Sequence, residues 1–173
     1  MSSTFSAPIR VNTRQTTSND GTLSADNTGA TQLTQQATFT GVAAAGAIST
    51  TKIGETSSSS FVIPAGSIIS NISLYETTAP SALTAGVITV AVNGTSVGTI
   101  TATTAGGKID IAFTASTTVA ALLANVGSSD ATLTFTWART AITGTLAGTI
   151  SVSYTARNSN GSITPYCSGL SNS

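Results

Sequence analysis

From about residue 37 to residue 156 the chain alternates. Leu133, Phe135 and Trp137 are separated by Thr132, Thr134 and Thr136, and Ile150, Val152 and Tyr154 alternate with Thr149, Ser151 and Ser153. Ile109, Ile111 and Phe113 alternate with Asp110, Ala112 and Thr114 in the same way. Side chains on a strand point to opposite faces with a period of two, so each run has one apolar face and one hydroxyl face. Thr, Val and Ile branch at Cβ, which suits a pleated sheet and works against a helix. A chain patterned this way must stack its sheets to cover their apolar faces.

The solvated faces carry hydroxyls where most proteins carry charge. Ser and Thr supply 59 of the 173 residues, against six Lys/Arg and six Asp/Glu, for a formal charge of zero. No basic stripe is present, so no nucleic-acid partner is expected. No apolar run approaches the roughly 18 residues of a membrane helix, so no membrane partner is expected. Residues 1–12 lack the apolar core of a secretory signal, and a cytosolic site of synthesis is the expectation. Cys167 has no second cysteine to pair with and reads as an incidental thiol in a polar tail.

Punctuation divides the alternating region. Thr38–Val42 gives a first strand, Ile48–Ile53 a second, and Phe61-Val62-Ile63 a third that Pro64-Ala65-Gly66 stops. Ile68–Thr77 is the longest strand, with Ile68, Ile72 and Leu74 on one face and Ile69, Asn71, Ser73 and Tyr75 on the other. Asn93-Gly94, between Gly86–Val92 and Thr95–Thr103, predicts a two-residue hairpin whose central residues both take positive φ. Residues 117–125 are the one helical stretch expected. Eight or nine short strands argue an all-β, two-sheet β-sandwich over residues 35–156, with jelly-roll and immunoglobulin-like wirings both open. Phe39, Ile72, Leu74, Ile111, Phe113, Leu133, Phe135 and Trp137 are the expected core. Tyr154 falls in phase with it.

Residues 1–34 form a polar, extended N-terminal arm, and 157–173 a polar tail. The arm holds turn chemistry at Asn19-Asp20-Gly21 and Asp26-Asn27-Thr28-Gly29. Its spaced apolar residues, Phe5, Ile9, Val11, Leu23 and Leu33, and its cations, Arg10 and Arg14, are the candidate partner-binding residues. Such a segment gains order by docking on something else.

Chemistry is harder to find. The chain has no histidine, the commonest general base and a leading metal ligand. Glu76 and Asp110 could form an acid–base carboxylate pair, but each reads better as a solvent-facing or ion-paired group, with Lys108 and Arg139 as partners. Asp20 and Asp26 lack the spacing of a calcium loop. The expectation is a non-enzymatic protein without metal or cofactor.

The run from Phe61 to Ile72 contains Ile63-Pro64-Ala65-Gly66-Ser67 and then opens a long strand. It resembles a segment common in tailed-bacteriophage virion proteins. A Thr/Ala/Gly-rich turn before a final alternating strand, here Thr145–Tyr154, accompanies it in such chains. The resemblance implies a virion accessory protein of the capsid decoration (cement) type. It would be a homotrimer on the outer surface of the shell, with the major capsid protein as partner. Tail- or head-fibre modules that bind a host-surface glycan share this composition and form the alternative.

Overall fold

The structure, a computed structural model, describes residues 32–41, 45–54, 58–83, 86–139 and 142–156. The strands are β1 (Gln32–Phe39), β2 (Gly46–Ala47), β3 (Thr50–Lys52), β4 (Ser58–Ser59), β5 (Phe61–Ile63), β6 (Ile68–Thr78) and β7 (Ala82–Leu83). They continue as β8 (Gly86–Val92), β9 (Thr95–Thr101), β10 (Gly107–Asp110), β11 (Ala112–Phe113), β12 (Ala131–Arg139), β13 (Ile142–Thr143) and β14 (Ala147–Thr155). One helix, α1 (Thr117–Ala124), precedes β12. Ser116 caps it, its hydroxyl accepting from Val119 N at 3.1 Å.

Two antiparallel sheets make the sandwich. The first runs β10-β6-β14-β1-β3-β4, and the second runs β11-β9-β8-β12-β2 with β5 also on β12. β7 and β13 form a small ribbon where the chain passes between the sheets after β6 and after β12. The core between the sheets takes Phe39, Ile72, Leu74, Ile111, Leu133, Phe135 and Trp137, all buried. Phe113 is half-buried and packs against this cluster. Phe61 meets Phe135 edge-on, centroids 5.4 Å apart.

Asn93 and Gly94 sit at φ 50° and 80° between β8 and β9, the turn their dipeptide predicts. Asn93 also ties the hairpin to β12, since Thr132 N donates to its Oδ1 and its own N donates to Thr132 O. Pro64–Ser67 closes a turn through Ser67 N to Pro64 O at 3.1 Å, with Gly66 at φ 73°. That turn is docked on the segment after α1: Gly66 N donates to Gly127 O, Val126 N to Ser67 O, and Ala65 N to Asp130 Oδ1.

Four sequence expectations are corrected. The first strand begins at Gln32, inside the segment read as arm, because its backbone pairs with β14 over eight consecutive residues whatever its side chains. The expected strand over 48–53 shortens to Thr50–Lys52, and a separate short strand precedes it. Residues 46–47 join β12 in one sheet, residues 50–52 join β1 in the other, and buried Ile48 makes the crossing. The expected strand around Ile111 likewise changes sheets. Asp110 pairs with β6 and Ala112 with β9, which closes one side of the sandwich. Finally, Ile69 is buried with Ile72 and Leu74, contrary to a strict alternation. The register slips between Ser153 and Tyr154, which face Asn71 and Ile69, so Ser70 is an extra residue and the phase inverts there.

Candidate interaction surfaces

The two carboxylates first considered for catalysis lie on opposite faces of the first sheet. Glu76 continues the inward row of Ile72 and Leu74 and is buried, which corrects its reading as a solvent-facing or ion-paired group. Its Oε1 accepts from Thr103 N and its Oε2 from Thr103 Oγ1, both at 3.1 Å, so it fastens the loop after β9. Asp110 lies on the outer face. It accepts from Lys108 Nζ at 2.6 Å, Ser73 Oγ at 2.6 Å and Asn71 Nδ2 at 3.0 Å. These bonds, that of Lys108 first, hold its carboxyl far below the usual carboxylate range, and Lys108 is raised in turn. The ion pair is solvent-exposed and lies within β10, while the bonds from Ser73 and Asn71 tie that edge strand to β6. No group of three metal-ligating side chains occurs among the described residues.

The outer face of the first sheet is a lattice of short polar side chains. Asp110, Ser73, Ser151 and Gln36 stand in register across four strands, and Lys108, Tyr75, Thr149 and Thr38 form the next row. Ser73 and Ser151 are buried by their neighbours, while Tyr75 is 40% exposed. On the second sheet, Thr132, Thr134 and Thr136 line the outer face of β12, with Thr89 and Thr99 opposite Thr136 on the adjoining strands. The hydroxyl faces read from the alternation are therefore solvated faces of both sheets.

The side of the sandwich away from Ile111 is less complete. There β1 pairs with β3 only at Ala37 and Thr38, although β14 covers its other edge throughout. Two open grooves lie beside the Ser58–Ser60 segment. One, of about 310 Å³, is lined by Gln35, Gln36, Ala37, Lys52 and Ser59–Phe61. The other, of about 270 Å³, lies between Ser49–Thr50, Ser58–Ser60 and the Thr132–Thr136 stretch. Ser59 Oγ, which borders both, is buried without a hydrogen-bond partner.

Of the candidate partner-binding residues, Phe5, Ile9, Arg10, Val11, Arg14 and Leu23 fall outside the described residues, as does Cys167. Leu33 is on β1 opposite Tyr154, in phase with core-facing Ala37 and Phe39, yet 42% exposed. Gln35 was not singled out by sequence reasoning, since a glutamine in a polar run carries no signal. In the structure its amide bridges the sheets, bonding both backbone atoms of Val62.

No protein-family model, curated protein or solved structure matches this chain.

Proposed function

We propose that the chain is a non-enzymatic structural virion protein that binds the outer surface of a phage capsid as a homotrimer and stabilises it, with the major capsid protein as partner. The observation that carries this reading is the pairing of Gln32 with Thr155. Gln32 and Thr155 are side by side on adjacent interior strands, so the segments before and after the sandwich join it at one pole of a hydroxyl-covered body. Phe5, Arg10 and Arg14, in the segment that joins this pole, are the residues assigned to grip the shell. An Arg fork suits carboxylates on that shell. A trimer that bridges capsomers binds only the assembled lattice and stabilises it by linkage. Several weak footholds add through effective concentration.

The test is binding of purified protein to undecorated capsids. Removal of 1–31, which stops short of β1, is expected to weaken shell binding at least tenfold and leave the sandwich folded. Undiminished binding by the truncated protein would assign the contact to the sandwich. Mass spectrometry of separated heads and tails checks the location, and recovery with tails alone would sink the capsid reading.

A glycan-binding fibre module is the second reading. Tyr75 favours it, being an exposed ring beside Lys108 on a flat polar face. Saturable binding of oligosaccharides that is lost in Tyr75→Ala would support that reading over the first.

A further inference from the structure

We propose that the unpaired edge of β1, residues Gln32–Gln36, receives an added strand, and that the strand is Ile9–Thr13 of this chain's own N-terminal segment. The inference is independent of the virion reading. Three observations meet at this edge. β1 is an interior strand, bonded to β14 over its full length, but β3 covers only Ala37 and Thr38 on the other side. Backbone donors and acceptors of residues 32–36 on that side lie outside every ladder of the described structure. The groove of about 310 Å³ runs beside the same edge, with Gln35, Gln36, Ala37 and Phe61 in its wall. Leu33 points to the core side of its sheet and is still 42% exposed, so the layer that would cover it is missing from the described residues.

Sheet edges are usually guarded by charge, proline or a bulge. The opposite edge of this sheet is guarded, since β10 carries the Lys108–Asp110 pair. Gln32, Leu33, Thr34, Gln35 and Gln36 carry no such device. An open, uncharged edge beside a groove is the geometry of strand addition, in which main-chain bonds give affinity and alternate side chains fill pockets.

The occupant follows from the chain outside the described structure. Residues 1–31 join directly to this edge. Within them, Ile9-Arg10-Val11-Asn12-Thr13 is a stretch of five that alternates, is β-branched at Ile9, Val11 and Thr13, and has Pro8 just before it, where a strand tolerates proline. It matches the five unpaired residues in length. The Asn19–Gly21 and Asp26–Gly29 turn signals leave only four residues between them, Thr22–Ala25, too few for the same edge. With Ile9 and Val11 turned inward, Val11 covers Leu33 and the groove takes an aliphatic side chain, while Arg10 faces solvent. Eighteen residues separate Thr13 from Gln32, a span of up to about 60 Å when extended, so the strand reaches its own body or a neighbouring copy.

Hydrogen exchange on the full chain tests this. In the wild type, all amides of residues 32–36 are expected to be protected. In Val11→Asp, the alternate amides that do not face β14 should exchange at least tenfold faster, with the β14-facing set unchanged. Equal exchange of both sets in the two proteins would overturn the proposal. A second measurement uses a Cys167→Ser background carrying Val11→Cys and Leu33→Cys, the pair that the added strand places side by side on the inner face. A short bismaleimide should link them in high yield, either within one chain or as a covalent oligomer, which tells whose strand is bound. Linking no better than a Val11→Cys, Thr136→Cys control, which places the second thiol on the far sheet, would also overturn it.

Discussion

Gln35 of β1 holds the backbone of Val62 on β5 with both ends of its amide. Nε2 donates to Val62 O at 2.6 Å, and Val62 N donates to Oε1 at 3.2 Å. The two strands belong to different sheets, so a side chain here supplies the pair of bonds that a neighbouring strand would otherwise give. The same Nε2 reaches Tyr154 Oη at 3.2 Å and draws a third strand into the contact.

Gln35→Ala is therefore expected to destabilise the sandwich by about 1–3 kcal/mol, the range for losing two or three net hydrogen bonds. Urea unfolding would measure it. A shift below about 0.5 kcal/mol would mean that water replaces the clamp at no cost, as at an ordinary surface position.

On β12 the two faces should respond oppositely. Phe135 is 3% exposed and packs on Phe61, so Phe135→Ala is expected to cost about 3–5 kcal/mol. Thr134→Ala, one residue away on the solvated face, should stay within about 0.5 kcal/mol. Equal losses at both positions would invalidate the assigned faces.

The β8–β9 turn depends on its dipeptide. Gly94 sits at φ 80°, where a Cβ is strained even with open space around it. Gly94→Ala should cost about 1–2 kcal/mol by the usual penalty of the left-handed region. Thermal unfolding of this variant beside Thr95→Ala, the exposed neighbour at the start of β9, would separate turn strain from any general effect of alanine, and equal melting temperatures would contradict the assigned strain.

Acid should act through Asp110. Its carboxyl is depressed below the ordinary value of 3.8 by the bonds from Lys108, Ser73 and Asn71. A group with a depressed folded pKa contributes stability that is fully present above the unfolded value and is lost as pH falls through the folded value. The gap in unfolding midpoint between wild type and Asp110→Asn should thus be constant from neutral pH to about pH 4–5, then narrow below that range. Because both partners are exposed, added salt should shrink it as well. A gap that widens on acidification would contradict the assigned network.

Much of this molecule was legible in its alternation. The β-sandwich, the Asn93-Gly94 hairpin, the helix at Thr117–Ala124 and seven of the eight expected core residues all depend on local signals. A side-chain period of two, a dipeptide that tolerates positive φ and a capped helical turn each act within a few residues, so a sequence displays them directly. Four outcomes depended on partners far away in the chain. β14 recruits polar Gln32–Gln36 as a strand, because a backbone ladder needs no apolar side chain. Ser70 is squeezed out as a bulge and turns Ile69 inward. The chain changes sheets at Ile48 and at Ile111, where a single alternating run serves two ladders. Glu76 is drawn under the loop at Thr103, where backbone and hydroxyl donors satisfy a carboxylate that its own strand could only have placed in the core unpaired. In each case at least one deciding bond joins residues more than 25 positions apart, and register between such segments is set only when the two sheets close over a shared core.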